Sequence, residues 1–150
     1  MLEVAEVGNT ISKADYKKAV PDLRVGLINA QYDLRNADFP VIIWIAGDDR
    51  IAANQMVNRL NEWMDARYAA TRVFLDPTEE ENERPQLWRL WRSIPAKGRS
   101  AIFVGGLMRA ASLRAEGEIG EPDFSKWLNH ISKMQEQLVE LQAKLQKTIV

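Results

Sequence analysis

The sequence predicts an α/β domain, with a short parallel sheet, flanking helices and one long C-terminal helix. Three observations carry that expectation. Val41-Ile42-Ile43-Trp44-Ile45-Ala46 is apolar without alternation, as a strand covered on both faces requires. Other stretches repeat apolar residues every three or four positions, the helical period. Strands and helices also alternate along the chain, the order that right-handed crossovers produce in a parallel sheet.

Each element has a local reason. Ser12 with Asp15 three residues on marks a helix start, and Pro21 suits the first position of a second helical segment, where a missing N–H is harmless. Leu23, Leu27, Ala30 and Leu34 give that segment an apolar stripe, and Asp38-Phe39-Pro40 ends it. After the strand from Val41, helical spacing returns in Met56, Val57, Leu60 and Trp63, and Thr71 to Leu75 forms a second strand. Asp76-Pro77 turns the chain, and Thr78-Glu79-Glu80-Glu81 starts a helix with acids at its positive end. Leu87, Leu90, Trp91 and Ile94 continue as a helical segment to the turn Pro95-Ala96-Lys97-Gly98. Ser100 to Val104 is the third strand, Gly105-Gly106 closes it, and Leu107 to Arg114 is helical. Gly117, Gly120 and Pro122 form a loop, with Asp123 capping the last helix. The expected organisation is one domain over 1–150, comprising a helical segment (1–40), an α/β core (41–115) and the long helix (123–150).

Composition sets outer bounds. The 150 residues include 46% hydrophobic side chains, enough for one buried core. Twenty Lys and Arg against 21 Asp and Glu leave a formal charge of -1, so no nucleic-acid partner is indicated. Without Cys there are no disulfides or thiolate metal sites, and with His130 alone no histidine cluster. Met1 to Thr10 carries Glu3 and Glu6 and lacks a signal peptide's basic and apolar regions, and no run reaches membrane-spanning length. A cytoplasmic location without membrane attachment is expected.

Three groups of residues invite chemistry. Gly47-Asp48-Asp49-Arg50 follows the first strand, where a nucleotide kinase carries its phosphate-binding loop. Such a loop needs glycines that let backbone N–H groups close on phosphate, a Lys for the transferred group and a hydroxyl beside the metal. Of these, Gly47 remains. Asp48 and Asp49 stand at the usual ligand edge of a parallel sheet, with Asp49 the candidate magnesium ligand, although capping of the next helix is their plainer role. Arg84, Arg89, Arg92, Lys97 and Arg99 form a basic cluster suited to phosphate oxyanions, interleaved by Trp88 and Trp91. Its plain alternative is a solvated face balanced by the acids of 79–83. Finally Phe124, Trp127, Ile131, Met134, Leu138, Leu141 and Leu145 make a heptad-like seam. Its front half suits the chain's own core; beyond it the helix is polar around a thin Leu stripe, so Leu138, Leu141 and Leu145 are candidates for a homo-oligomer contact.

Taken in order, Leu60-Asn61-Glu62-Trp63-Met64-Asp65-Ala66-Arg67-Tyr68, Pro77-Thr78-Glu79-Glu80-Glu81, Arg84-Pro85, Leu87-Trp88-Arg89-Leu90-Trp91 and Pro95-Ala96-Lys97-Gly98 resemble the polyphosphate kinase 2 family. Within it the chain is most similar to the N-terminal of the two related domains in polyphosphate:AMP phosphotransferases. The resemblance runs from about Ser12 to about Leu138. It implies a P-loop-kinase-like fold, polyphosphate as donor, AMP or ADP as acceptor, Mg²⁺ and assembly into oligomers. It also implies further strands and a lid beyond this sequence, so the chain reads either as part of a longer protein with an active kinase domain or as a short relative.

The departures from the family pattern bear on activity. Its phosphate loop resembles Gly-x-Asp-x-x-Gly-Lys followed by Gly or Ser; Gly47 and Asp49 match, whereas Ala52, Ala53 and Asn54 do not, and Ala53 stands in place of the Lys. The family's Asp-Arg after the third strand falls on Val104-Gly105. The resulting expectation is a catalytically degenerate domain with an assembly, regulatory or polyphosphate-holding role. Two other readings stand beside it: an active phosphotransferase with an altered loop using Asp48, Asp49 and Arg50 with Arg89 and Arg92, and a structural oligomerisation module.

Overall fold

The computed structural model describes residues 10–45, 49–85, 87–106 and 109–147. Three strands, β1 (Val41–Ile45), β2 (Ala69–Phe74) and β3 (Ser100–Gly105), form a parallel sheet in the order β1-β3-β2. The last strand in sequence is therefore the central one. Val41 pairs with Ser100 on one side of β3, and Ala69 pairs with the same Ser100 on the other. Among the described residues six helices accompany the sheet: α1 (Lys13–Leu34), α2 (Arg50–Trp63), α3 (Glu79–Asn82), α4 (Trp88–Trp91), α5 (Arg109–Ala115) and α6 (Glu121–Lys147).

Parallel register puts partners on the same side, so Ile42, Trp44, Ala101, Phe103, Ala70, Arg72 and Phe74 share one face. That face holds the core: Phe74, Leu90, Ala101, Phe103 and Met134 are buried together, with Trp91, Ile94, Ile131 and Leu138 packed around them. Phe103 is completely buried and meets Trp44 and Phe74 edge to face, with centroids 5.7 Å and 4.9 Å away. On the opposite face, Thr71 hydrogen-bonds Asn61 of α2 at 2.9 Å. Helices on both faces explain why β1 and the centre of β3 lack alternation.

The helices depart from expectation in three places. Pro21 lies inside one continuous α1 rather than opening a second helix. Its missing N–H leaves the Lys17 carbonyl without a helical partner, and both residues are exposed, so water can replace that bond. The expected helix through Leu87 and Ile94 is the four-residue α4, separated from α3. Pro85 disfavours helical geometry at Arg84, and Leu87 has a left-handed φ of 67°. At the last helix, Asp123 sits in the first turn instead of capping it, and the Gly120 carbonyl accepts the first helical bond, from Phe124. Thr78 does cap α3, in a reciprocal box with Glu81.

Candidate functional site

Two regions hold the residues that the sequence singled out, at opposite ends of the strands. At the carboxyl edge, Gly47 and Asp48 lie outside the described residues. Asp49 caps α2, its Oδ1 accepting from the backbone N–H groups of Ile51 at 2.8 Å and Ala52 at 3.0 Å. These are the first-turn donors that would otherwise face an anion. Ala53 N is also engaged, with the Asp49 carbonyl. Arg50 opens α2 exposed to solvent. Across this edge, Gly105 and Gly106 have φ of 74° and 71°, which glycine adopts freely. A Cβ on Gly105 would stand 2.9 Å from the Phe74 carbonyl oxygen, and the Gly105 carbonyl accepts from the Trp44 indole at 2.9 Å.

Asp49 is the described carboxylate nearest a magnesium role here, and capping already engages one of its oxygens. Among the described residues no three His, Cys, Asp or Glu side chains group to hold a metal. Among the described residues, then, the donors at this edge do not make up a site for a resident ion.

The basic cluster divides. Arg84 pairs with Glu80 at 3.2 Å. Arg89 lies over the Phe74 ring, donates to the Leu75 carbonyl at 2.8 Å and approaches Glu81 at 3.6 Å, so it ties α4 to the end of β2. Lys97 is exposed on its turn. Arg92 and Arg99 instead line a cavity of about 320 Å³ at the amino ends of β2 and β3, together with Arg67 and Arg72, which sequence reasoning missed. Small residues form its floor, among them Ala70 and Ala101 on adjacent strands. Among the described residues lining it, none is acidic.

Each arginine is held differently. Arg92 and Arg84 both lie over the Trp88 ring, at 5.3 Å and 5.4 Å, which accounts for the tryptophan between them. Arg99 donates to the Arg67 carbonyl at 2.8 Å and lies 5.9 Å from the Tyr68 ring, which Arg35 and Arg67 also approach. Arg72 shares the inward face of Phe74 on an edge strand, yet it is exposed, and among the described residues it has no ion-pair partner. Arg67 is engaged by Asp65, with contacts of 2.6 to 3.1 Å.

That engagement holds the Asp65 carboxyl at about 2, below its ordinary 3.8, chiefly through the Arg67 side chain and then its backbone N–H. Because the folded value is the lower one, the contribution of the pair is complete above the unfolded pKa and is lost as pH falls through about 2. A carboxyl-carbon NMR titration should give a midpoint near 2, and Arg67→Gln should return it towards 3.8. A wild-type midpoint already at 3.8 would disprove the pairing.

On α6, Leu138 is half-buried against the core cluster and serves this chain first, while the side chains of Leu141 and Leu145 lie outside those described. Among the described residues, no helix is long and apolar enough to cross a membrane.

Comparison with known proteins adds the lineage. The polyphosphate kinase 2 (PPK2) family model matches residues 10–149. A polyphosphate:AMP phosphotransferase from Pseudomonas aeruginosa is 42% identical over 142 residues, which span 93% of this chain and 29% of that protein. One from Pseudomonas syringae pv. tomato is 42% identical over 106 residues, covering 70% of this chain and 21% of its own length. The chain thus spans less than a third of these relatives. The crystal structure of a polyphosphate kinase 2 from P. aeruginosa PA01 superposes with a TM-score of 0.82 at 42% identity, over 93% of this chain and 31% of that one. The enzyme from Arthrobacter aurescens TC1, at 22% identity and a TM-score of 0.79, covers 89% of this chain and 49% of its own, and shares the fold.

Proposed function

Because the chain belongs to the polyphosphate kinase 2 family, we propose that it is a non-transferring domain of that family, one that holds polyphosphate and assists the assembly or regulation of an active polyphosphate:AMP phosphotransferase domain. The observation that carries this reading is the state of the carboxyl edge. Ala53 stands where the family places its phosphate-binding Lys, and the Asp49 carboxylate takes the helix-start N–H groups that a phosphate would need. Gly105, pressed against the Phe74 carbonyl, leaves no room for the family's Arg without a shift of the strand end. Loss of one preorganised charged donor lowers turnover by roughly 10²–10³, and more than one is absent here.

Magnesium enters this reading with the phosphate chain rather than as a resident ion, since Mg²⁺ commonly keeps its waters and leans on substrate oxygens. AMP and ADP belong to the active partner domain, the location is cytoplasmic, and self-association runs through Leu141 and Leu145 with Leu138 at its margin. Calorimetry with long-chain polyphosphate, alongside an assay of AMP phosphorylation with Mg²⁺ in the same samples, tests the reading. Binding without turnover is expected. Sustained ADP formation would overturn it in favour of an active phosphotransferase, and absence of binding at low salt would overturn the holding role in favour of a structural oligomerisation module.

A further inference from the structure

The arginine cavity is remote from the loop edge. It opens at the amino ends of β2 and β3, whereas ligands of open parallel sheets ordinarily sit beyond the carboxyl ends. Four guanidinium groups surround it, and Asp65 neutralises one of them. Arg72, Arg92 and Arg99 have no carboxylate partner among the described residues, and Arg35 adds a further cation beside Tyr68. Like charges gathered around one concavity repel one another unless an anion joins them. The two serine hydroxyls of the lining are spoken for, Ser93 donating to the Arg89 carbonyl at 2.7 Å and Ser100 to the Tyr68 carbonyl at 3.1 Å.

We propose that this cavity is an anion site for a linear oligophosphate, gripped by Arg72, Arg92 and Arg99, with Arg67 held in reserve by Asp65. The proposal rests on the polyphosphate-holding reading and gives it a location. The side-chain chemistry favours a phosphate chain over a nucleotide. Guanidinium forks donate to oxyanions and accept nothing, so the amino group of adenine would go unmatched, and the Tyr68 ring on which a base could stack already carries arginines. Several cations spread along a concave wall suit successive phosphates better than one compact ion. Arg72 has a further distinguishing mark: it is an exposed charge on the strand face that carries buried Phe103 and Phe74, where it reaches the cavity from the sheet itself.

The test is titration calorimetry of the full chain with tripolyphosphate at low and high salt, repeated for Arg72→Gln/Arg92→Gln and for Arg24→Gln, an exposed arginine of α1 outside both regions. The double variant should bind at least about tenfold more weakly, with a shallower salt dependence, while Arg24→Gln matches the wild type. Asp65→Asn, which releases Arg67, should bind more tightly, a gain that misfolding would not mimic. Equal binding by the double variant and the wild type would overturn the assignment of this cavity while leaving polyphosphate holding intact elsewhere. Failure of both tripolyphosphate and long-chain polyphosphate to bind the wild type would overturn the holding reading and this site with it. Inorganic phosphate or ATP binding as tightly as tripolyphosphate would overturn the preference for an oligophosphate.

Discussion

Phe103→Ala should destabilise the fold by about 3–5 kcal/mol, a large share of the roughly 5–15 kcal/mol that holds an ordinary domain together. Phe103 is completely buried on the central strand and is the ring that Trp44 and Phe74 both meet edge to face. Truncation removes both aromatic contacts and leaves a void between the sheet and the layer formed by Leu90 and Met134, which cannot close without bending β3. Urea unfolding should show the midpoint falling with its slope preserved, and the thermal midpoint should drop by roughly 10 °C. Phe103→Leu, which keeps most of the volume, should lose far less. A loss below about 1 kcal/mol for the alanine variant would mean that this face collapses readily and that the core is looser than its rings suggest.

Gln31→Ala should have the second largest effect, about 2–3 kcal/mol, although the residue is polar and belongs to a largely exposed helix. Its amide is buried and used at both ends: Nε2 donates to the Asp65 carbonyl at 2.9 Å, and Oε1 accepts from the Asp65 N–H at 2.7 Å. Removing it strands two backbone groups on the turn that leads into β2. Gln31→Glu retains the volume and the acceptor but sets a carboxylate oxygen against the Asp65 carbonyl, so it should also destabilise, which separates the hydrogen bonds from packing. Hydrogen exchange at Asp65 N–H should accelerate in Gln31→Ala, which removes its acceptor, and far less in Gln31→Glu, which keeps one. An unchanged exchange rate in the alanine variant would mean that another group has taken over the bond.

β1 and the centre of β3 were legible because strands covered on both faces leave an apolar run, whereas β2 is interrupted by Thr71 and Arg72; all three of 41–45, 69–74 and 100–105 lie within a few residues of the expected runs. The helix through Leu87 was misread because apolar spacing outweighed Pro85, whose missing N–H and restriction on Arg84 break the segment there. Pro21 erred in the opposite direction, since a proline on an exposed helix face need not end it. The arginine cluster was found by adjacency in sequence, which is why it joined residues that the fold separates. Arg84 and Arg89 are consumed by glutamates and a carbonyl, whereas Arg92 and Arg99 meet Arg67 and Arg72 only because β2 lies beside β3. A usable signal was present: Arg72 stands two residues before Phe74 on a period-two strand and so shares an inward face.

The order β1-β3-β2 also governs when the molecule can fold at all. Among the described residues neither outer strand pairs with the other and each pairs with β3, so Val41 and Ala69 both wait for Ser100. As this segment leaves the ribosome, 41–45 and 69–74 lack the strand they pair with here until 100–105 has emerged. Nucleation is thus deferred to long-range closure, which slows folding relative to a helical bundle of the same size. In that interval the two waiting strands are the segments most open to pairing with the wrong chain.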